Sequence, residues 1–160
     1  MAQSFEIAPF EDHHQPQIDE IMSSIADEFS ENIFSSQFKK LNEIARLPTH
    51  IYWVAKSGGT VLGTCGYCLL ENNKIELKRM FLHKDFRGQG VAQALVDTVM
   101  NAATDKNIST VYLGTMEQFK AAQAFYEKNG FTKIPREELP KDFLINPVDK
   151  VFYKREINGI

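Results

Sequence analysis

The sequence predicts one domain of the mixed α/β class, in which a mixed sheet carries helices on both faces. Strand-like alternation and helix-like spacing of apolar residues follow one another along the whole chain. No low-complexity segment, internal repeat or linker divides the 160 residues, a usual length for one domain. Apolar residues make up 43% of the chain and charged residues 24%, which is an ordinary globular balance. We therefore expect a single domain over residues 1–160.

The first half of the chain predicts a strand, two helices and three antiparallel strands. Ser57-Gly58-Gly59 and the residues at 71–74 predict the turns between those three strands. The predicted strands cover residues 4–10, 51–56, Thr60–Leu70 and 75–82. Pro48 ends the second helix. Apolar residues at helical spacing indicate the two helices, Ile18, Ile21, Met22, Ile25, Ala26 and Phe29 for the first, and Ile33, Phe34, Phe38, Leu41 and Ile44 for the second.

The second half predicts two helices between the remaining strands. The clearest amphipathic helix follows Gly90, and another is expected over 118–129, closed by Gly130. Residues 110–113, 131–134 and 151–157 complete the strands. Residues 135–149 contain three prolines and little periodicity, so we expect a surface loop, and loops of that length are often functional. The apolar positions of the first helix are Val91, Ala92, Leu95, Val96, Val99, Met100 and Ala103.

Charge and hydropathy exclude several classes of protein. The formal net charge is −3, whereas broad nucleic-acid binding usually requires a strongly basic face. No run approaches the roughly 20 apolar residues that a membrane span needs. Residues 1–10 lack the cationic start and long apolar run of a secretion signal. Together with a low cysteine content, these features predict a cytoplasmic protein.

The two cysteines form a C-x-x-C pattern, Cys65-Gly66-Tyr67-Cys68, inside a predicted strand. Residues three apart on a strand point to opposite faces, which disfavours a redox pair or a metal site. Zinc would also need two further ligands, and the four histidines show no paired ligand spacing. We expect two reduced strand cysteines and no metal site.

The most informative stretch runs from Leu82 to Ala92, where a strand enters a glycine-containing turn and a helix begins at once. The first amides of a helix lack internal partners and carry partial positive charge. Gly88 and Gly90 let the backbone approach an anion closely, and Arg87 adds a cationic donor. The turn therefore predicts a pyrophosphate site.

Three other interpretations of this turn differ in strength. A Walker loop is excluded, because no Gly-Lys-Ser/Thr follows the glycines. A dinucleotide fingerprint would place a third Gly or Ala where the chain has Gln93, and no acidic strand end follows about 20 residues later. A tight turn without any ligand stays open. By itself the turn indicates an anion site without identifying the anion.

The turn has the pattern R-x-x-G-x-A, which resembles the coenzyme A signature Q/R-x-x-G-x-G/A of the GNAT N-acetyltransferase superfamily. A second block, from Ala122 to Phe131, is similar to that family's A-x-x-F-Y-x-x-x-G-F helix. The predicted order of strands and helices resembles the family fold over nearly the whole chain. The resemblance implies a mainly antiparallel sheet of about seven strands, flanked by about four helices, whose central strands splay apart.

The resemblance also implies how acetyl-CoA is bound as co-substrate, without a metal. Backbone amides of Arg87, Gly88, Gln89, Gly90, Val91 and Ala92 would hold the pyrophosphate. The strand end at Met80, Phe81 and Leu82 would pair with the pantetheine arm, as an added strand does. The thioester would lie in the gap beside residues 110–113, and an amide near Leu82 would polarise its carbonyl.

Two side chains are the implied catalytic residues. Tyr126 would protonate the departing thiolate, although packing in the core is an alternative role for this side chain. Glu76 would be the general base, since an alkylammonium with a pKa near 10.4 is not nucleophilic until it loses a proton. A solvent-facing strand glutamate, a water chain acting as base, and simple attraction of a cationic acceptor are the alternatives for Glu76.

One departure from the family pattern concerns Phe119, which stands where many members carry an Asn that contacts pantetheine. The acceptor is expected to be the amine of a small molecule or peptide, chosen by residues 27–38 and 135–149. Asp27, Glu28 and Glu31 could attract it or simply be a solvated helix face.

The competing function is a non-catalytic acyl-CoA sensor or interaction module with the same fold. The presence of both Tyr126 and Glu76 disfavours it. The strands at 110–113 or 151–157 could mediate a homodimer, and the sequence leaves the oligomeric state open.

Overall fold

The computed structural model describes residues 4–29 and 38–157. These residues form seven strands and four α-helices, with short 3-10 turns between some of them. The predicted helical positions Ile33 and Phe34, and the acidic Glu31, lie outside the described residues. The elements are β1 (Glu6–Pro9), α1 (Gln15–Ala26), α2 (Leu41–Ile44), β2 (His50–Ser57), β3 (Thr60–Leu70), β4 (Lys74–Leu82), α3 (Val91–Asp105), β5 (Thr110–Thr115), α4 (Lys120–Lys128), β6 (Thr132–Ile134) and β7 (Val151–Glu156).

All seven strands belong to one sheet with the order β1-β2-β3-β4-β5-β7-β6. Every neighbouring pair is antiparallel except β4 and β5, which run parallel. β7 lies between β5 and β6, so the last strand of the chain does not form an edge. The mainly antiparallel seven-stranded sheet that the resemblance implied is confirmed. β5 and β7 both lie inside the sheet order, and the homodimer expected through one of them stays a prediction.

Helices cover both faces of the sheet, as the alternating pattern predicted. On one face, α3 buries Leu95, Val96 and Val99 in a cluster with Leu62 and Tyr67. On the other face, α1 buries a stripe against β2 and β3, formed by Ile18, Ile21, Met22 and Ile25. Each stripe follows helical spacing, so burial of these apolar faces positions the helices. No helix among the described residues has the length and apolar character needed to cross a membrane.

The parallel strands β4 and β5 are paired only at their beginnings. Their ladder runs from Lys74–Thr110 to Glu76–Tyr112 and ends there. Farther along β4, the pairing with β3 shifts register between Thr64 and Gly66, and Arg79 has a left-handed φ of 56°. An extra residue in one strand bends it locally and increases its twist. The two central strands therefore separate after Glu76, which confirms the predicted splay and opens a gap in the sheet.

The segment 135–149 differs from the simple surface loop that the sequence predicts. It contains a 3-10 turn over Arg136–Glu138, and its Phe143 is buried in a cluster with Tyr112, Ile134 and Phe152. Lys150 then donates a backbone hydrogen bond of 3.0 Å to Thr115, joining the segment to the end of β5. The segment is therefore fixed to the sheet at the edge of the gap between β4 and β5.

The two cysteines of the C-x-x-C pattern are both free thiols, with Cys65 buried and Cys68 partly buried, so the expected reduced strand cysteines are confirmed.

Helix α4 begins at Lys120 rather than at 118. The Gln123 side chain donates hydrogen bonds of 2.9 and 3.0 Å to the carbonyls of Met116 and Glu117, which hold the preceding residues in a turn.

Candidate active site

Two cavities lie beside the second half of β4 and share part of their lining, and one of them is also lined by β5. The turn-side cavity, of about 440 Å³, reaches the glycine-containing turn and is lined by Leu82, Arg87, Gly88 and Ala92, among others. The acidic cavity, of about 160 Å³, is lined by Glu76, Lys78, Gly114 and Asp149, among others. The residues that line both cavities are Met80, Phe81, Phe119, Ala122 and Tyr126. The two cavities are therefore adjacent, and Tyr126 borders both of them.

The turn before α3 has the geometry of an anion site. Gly88 and Gly90 adopt left-handed φ angles of 78° and 84°, which side chains rarely tolerate. A Cβ at either position would meet no heavy atom of the described residues within 4 Å, so the space beside the turn is open. No side chain caps the first helical amides at Gly90. Because those amides lack intrahelical partners, they can bind phosphate oxygens.

Arg87 already has a partner in the structure. Its guanidinium donates two hydrogen bonds of 2.7 Å to the carboxylate of Glu28, which follows the end of α1. This bidentate pairing holds the pKa of Glu28 below its usual value. Arg87 still lines the turn-side cavity, but its charge there is partly neutralised. Glu28 and its neighbour Asp27 are both exposed, but Glu28 is a partner of the turn and not simply a solvated helix face.

Glu28→Gln should tighten the binding of acetyl-CoA by about two- to fivefold at low salt. The change removes a negative charge near the turn and frees Arg87, and an exposed ion pair is worth about 1 kcal/mol or less. Calorimetric titration with acetyl-CoA measures the effect, with Asp27→Asn as a control that removes the same charge from an exposed site. Equal tightening in both variants would show that only net charge matters.

Glu76 is the last residue of β4 that pairs with β5, so its side chain lies where the strands begin to separate. Its exposed fraction is only 9%, which contradicts the interpretation as a solvent-facing strand residue. Burial, with a smaller contribution from Asp149, raises the pKa of Glu76 to about 7, while Lys78 opposes the shift. A carboxylate with a pKa near neutrality can accept a proton at physiological pH. The role of Glu76 as base stays a prediction.

Tyr126 lies on α4 with its ring packed against Phe131, at 5.7 Å between ring centroids. The side chain is buried, and desolvation raises its pKa well above the ordinary value. Its hydroxyl therefore stays protonated at neutral pH and can donate a proton into the cavities that it lines. The packed ring and the available hydroxyl are both present, so packing does not exclude the role as acid.

Sequence reasoning missed three charged residues of the acidic cavity. They are Asp149, at the end of the segment 135–149, and Lys78 and Arg79, both on β4. The Lys78 ammonium lies 3.9 Å from the Glu76 carboxylate. Asp149 precedes a strand in a stretch without periodicity, so no local pattern indicates that it joins Glu76.

The aromatic residue that departs from the family pattern takes part in this junction. Phe119 lies just before α4, and its ring contacts that of Phe29, after α1, in a tilted arrangement with 5.0 Å between ring centroids. Phe119 lines both cavities and so contributes an apolar wall where an amide would be polar.

Two histidines do come together with an acidic side chain near the N-terminus. The three side chains each have an atom that could bind a metal, and these atoms lie within 4.8 Å of one another in Glu11, His13 and His14. The Nδ1 of His14 already accepts a 2.9 Å hydrogen bond from the Glu11 amide. None of the three lines either cavity, so we assign the cluster no part in the site.

A family model and a curated protein both match this chain, and both are named for the transfer or addition of an acetyl group. A family model described as "Acetyltransferase (GNAT) family" matches residues 18–131, more than half of the chain. An N-acetylaspartate synthetase from Danio rerio is 33% identical over 109 residues. That match covers 64% of this chain but only 38% of the relative.

Solved structures share the fold over nearly the whole chain. An acetyltransferase of the GNAT family from Staphylococcus aureus superposes with a TM-score of 0.81 at 28% identity, covering 97% of this chain and all of that one. The PaiA N-acetyltransferase of Thermoplasma acidophilum, in complex with coenzyme A, gives a TM-score of 0.74. At 18% identity over 97% of this chain and all of that one, the second likeness shows the shared fold alone.

Proposed function

The chain belongs to the acetyltransferase (GNAT) family, and we propose that it is an acetyl-CoA-dependent N-acetyltransferase acting by direct transfer on a primary amine. The observation that carries this proposal is the position of Tyr126, which lines both the turn-side and the acidic cavity. A donor held by the turn and an acceptor held by the acids would meet at its hydroxyl.

The turn-side cavity fits a coenzyme A thioester. The open turn at Gly88 and Gly90 offers uncapped amides for the diphosphate. Beyond Glu76, no strand of the described residues pairs with β4 on its β5 side, so the stretch from Met80 to Leu82 can pair with an extended arm as a strand would. A PaiA N-acetyltransferase with the same fold holds coenzyme A, which supports the same class of donor here.

The reaction requires two proton movements, and the chain has a group for each. The acetyl carbonyl carbon forms a bond to the amine nitrogen while its bond to sulfur breaks, so the amine loses a proton and the thiol gains one. Glu76 accepts the proton of the amine. Tyr126 supplies the proton to the sulfur. Desolvation raises the pKa of Tyr126, and it also raises the pKa of a thiol beside it. Burial alone therefore does not make proton transfer from the Tyr126 hydroxyl to the thiolate unfavourable.

An amino acid is the first class of acceptor to test. The acidic cavity contains carboxylates that suit an ammonium group, together with the cations Lys78 and Arg79, which suit a carboxylate. The similar protein from Danio rerio is named for the synthesis of N-acetylaspartate. Peptide N-termini and other small amines have the same reacting group and belong in the same screen.

We expect thiol release from acetyl-CoA to accelerate by at least tenfold with one or more amines of a screened panel. L-Aspartate, L-lysine, spermidine and a peptide with a free N-terminus represent the acceptor classes. Loss of the thioester absorbance measures the rate without interference from Cys65 and Cys68, and mass spectrometry identifies the acetylated product. If calorimetry shows acetyl-CoA binding but no amine accelerates release, the protein is a sensor and the proposal is wrong.

A further inference from the structure

Asp149 places a second carboxylate in the acidic cavity, opposite the strand that carries Glu76. The residue is only partly exposed, yet its carboxylate makes no hydrogen bond or ion pair within the described ranges 4–29 and 38–157. Burial raises its pKa to about 6, and Lys78 opposes that shift. A desolvated carboxylate without a hydrogen bond costs stability, and the attraction of Lys78 offsets only part of that cost, so a cationic ligand in the cavity would stabilise it further.

The fold holds Asp149 in this position by several independent contacts. Its amide donates a 2.9 Å hydrogen bond to the Asn146 carbonyl, and the next residue, Lys150, bonds to Thr115 at 3.0 Å. The preceding residue, Val148, packs against the apolar cluster that contains the buried stripe of α1. The backbone on both sides of Asp149 is therefore anchored, and the carboxylate is not a mobile loop group.

Gly114 on β5 provides the space that the carboxylate occupies. A Cβ at this position would lie 3.0 Å from Oδ2 of Asp149 and 3.1 Å from the Phe152 ring. Both are closer than ordinary van der Waals contact. The absence of a side chain at 114 thus lets Asp149 approach the sheet beside the acidic cavity.

The two carboxylates differ in the work that they can do. Glu76 is the more deeply buried, it lies 3.9 Å from Lys78, and burial raises its pKa to about 7. Asp149 is less deeply buried and has no ion pair of this kind among the described residues. The carboxylate that lies nearer to solvent and is free of such a pair suits the binding of a cation, whereas the deeply buried one suits the transfer of a proton.

We propose that Asp149 binds the acceptor's ammonium group and holds it beside Glu76, so that the site selects acceptors that arrive as cations. This inference rests on the proposed function, and it assigns to the segment 135–149 a residue that determines specificity. Glu76 then takes one proton from the ammonium group that Asp149 has positioned, which leaves the neutral amine to attack. The second proton, which the nitrogen loses as the amide forms, replaces the one that Tyr126 gives to the sulfur.

Asp149→Asn tests the inference, because it keeps the size of the side chain and removes its charge. Asp142→Asn is the matched control, since Asp142 lies in the same segment but is exposed and accepts a 2.8 Å hydrogen bond from the Glu71 amide. With the best amine of the panel, we expect Asp149→Asn to raise the KM for the amine at least tenfold. The KM for acetyl-CoA and kcat should change by less than about threefold, and the control should resemble the wild type.

Thermal unfolding separates binding from a structural role. Removing an unpartnered charge should leave the Tm of Asp149→Asn at or above that of the wild type at pH 8, whereas loss of a structural contact would lower it. An unchanged KM for the amine, or a fall in kcat alone, would overturn the assignment of Asp149.

A second measurement keeps this test independent of turnover. Calorimetric titration of L-aspartate, L-lysine and spermidine into protein saturated with coenzyme A reports binding of the ammonium group directly. We expect at least one probe to bind the wild type and to bind Asp149→Asn at least tenfold more weakly. If a probe binds the wild type and binds Asp149→Asn at least tenfold more weakly, but no amine is acetylated, only the proposed function is contradicted. If a probe binds both proteins equally well, only the inference about Asp149 is contradicted.

Discussion

Tyr126→Phe should lower kcat by about 10² to 10⁴ while the Kd for acetyl-CoA changes by less than about threefold. The ring packs against Phe131 and other aromatic residues, and Phe preserves that packing. Only the hydroxyl is lost, which is the group proposed to donate the proton, on a residue that lines both cavities. Steady-state kinetics with the best amine measures kcat, and calorimetry measures the affinity for acetyl-CoA.

Tyr67→Phe is the matched control for this variant. Tyr67 is also buried and aromatic, but its hydroxyl lies outside both cavities and has no hydrogen-bond partner among the residues described. Removing it should leave kcat unchanged and should not reduce stability, because an unsatisfied buried hydroxyl is unfavourable. If Tyr126→Phe retains wild-type kcat, the hydroxyl is not the acid and Tyr126 serves only in packing.

Glu76→Gln should lower kcat/KM for the amine by about 10² at pH 8 and should flatten its dependence on pH. In the wild type, the base works only when ionised, and its pKa is raised to about 7 by burial. The rate should therefore rise as pH increases through about 7. Gln keeps the shape of the side chain but cannot accept the proton. Kinetics between pH 5.5 and 9 measures both effects, with Glu71→Gln in the exposed turn before β4 as control.

Glu76→Gln should also stabilise the fold at alkaline pH. Because the pKa of Glu76 is higher in the folded than in the unfolded state, its contribution to stability is full below the unfolded pKa of about 4.5 and is lost as pH rises through 7. Ionised Glu76 then costs at most about 3 kcal/mol, which Gln removes. A higher Tm at pH 8 with lower activity would indicate a functional carboxylate. An unchanged pH profile would contradict the role of Glu76 as base.

The elements of the fold could be predicted because they depend on local patterns. Burial of the α1 and α3 stripes follows from apolar residues at helical spacing, and the strands follow from alternation between turn signals. The coenzyme A motif lies within one strand–turn–helix unit, so its glycines were visible in the sequence. The boundary of α4 was less predictable, since the hydrogen bonds of Gln123 fix the turn before it.

The charge state of the site could not be predicted in the same way. Alternation along β4 is compatible with an exposed Glu76, and only the contact of β5 and the segment 135–149 makes it buried. Arg87 has the residue type of a phosphate ligand, yet its pairing with Glu28 depends on where α1 ends in space.

The sequence by itself therefore indicated the family, the order of the elements, the glycine-containing turn proposed to bind an anion, and the two residues proposed as acid and base. Only the tertiary structure decided that the sheet opens after Glu76, that Tyr126 lies where two cavities join, and that Asp149 enters beside Glu76. The physical reason is the range of the interactions. Periodicity records which face of a segment is apolar, whereas burial, pKa and cavity shape arise from distant segments that no local pattern connects.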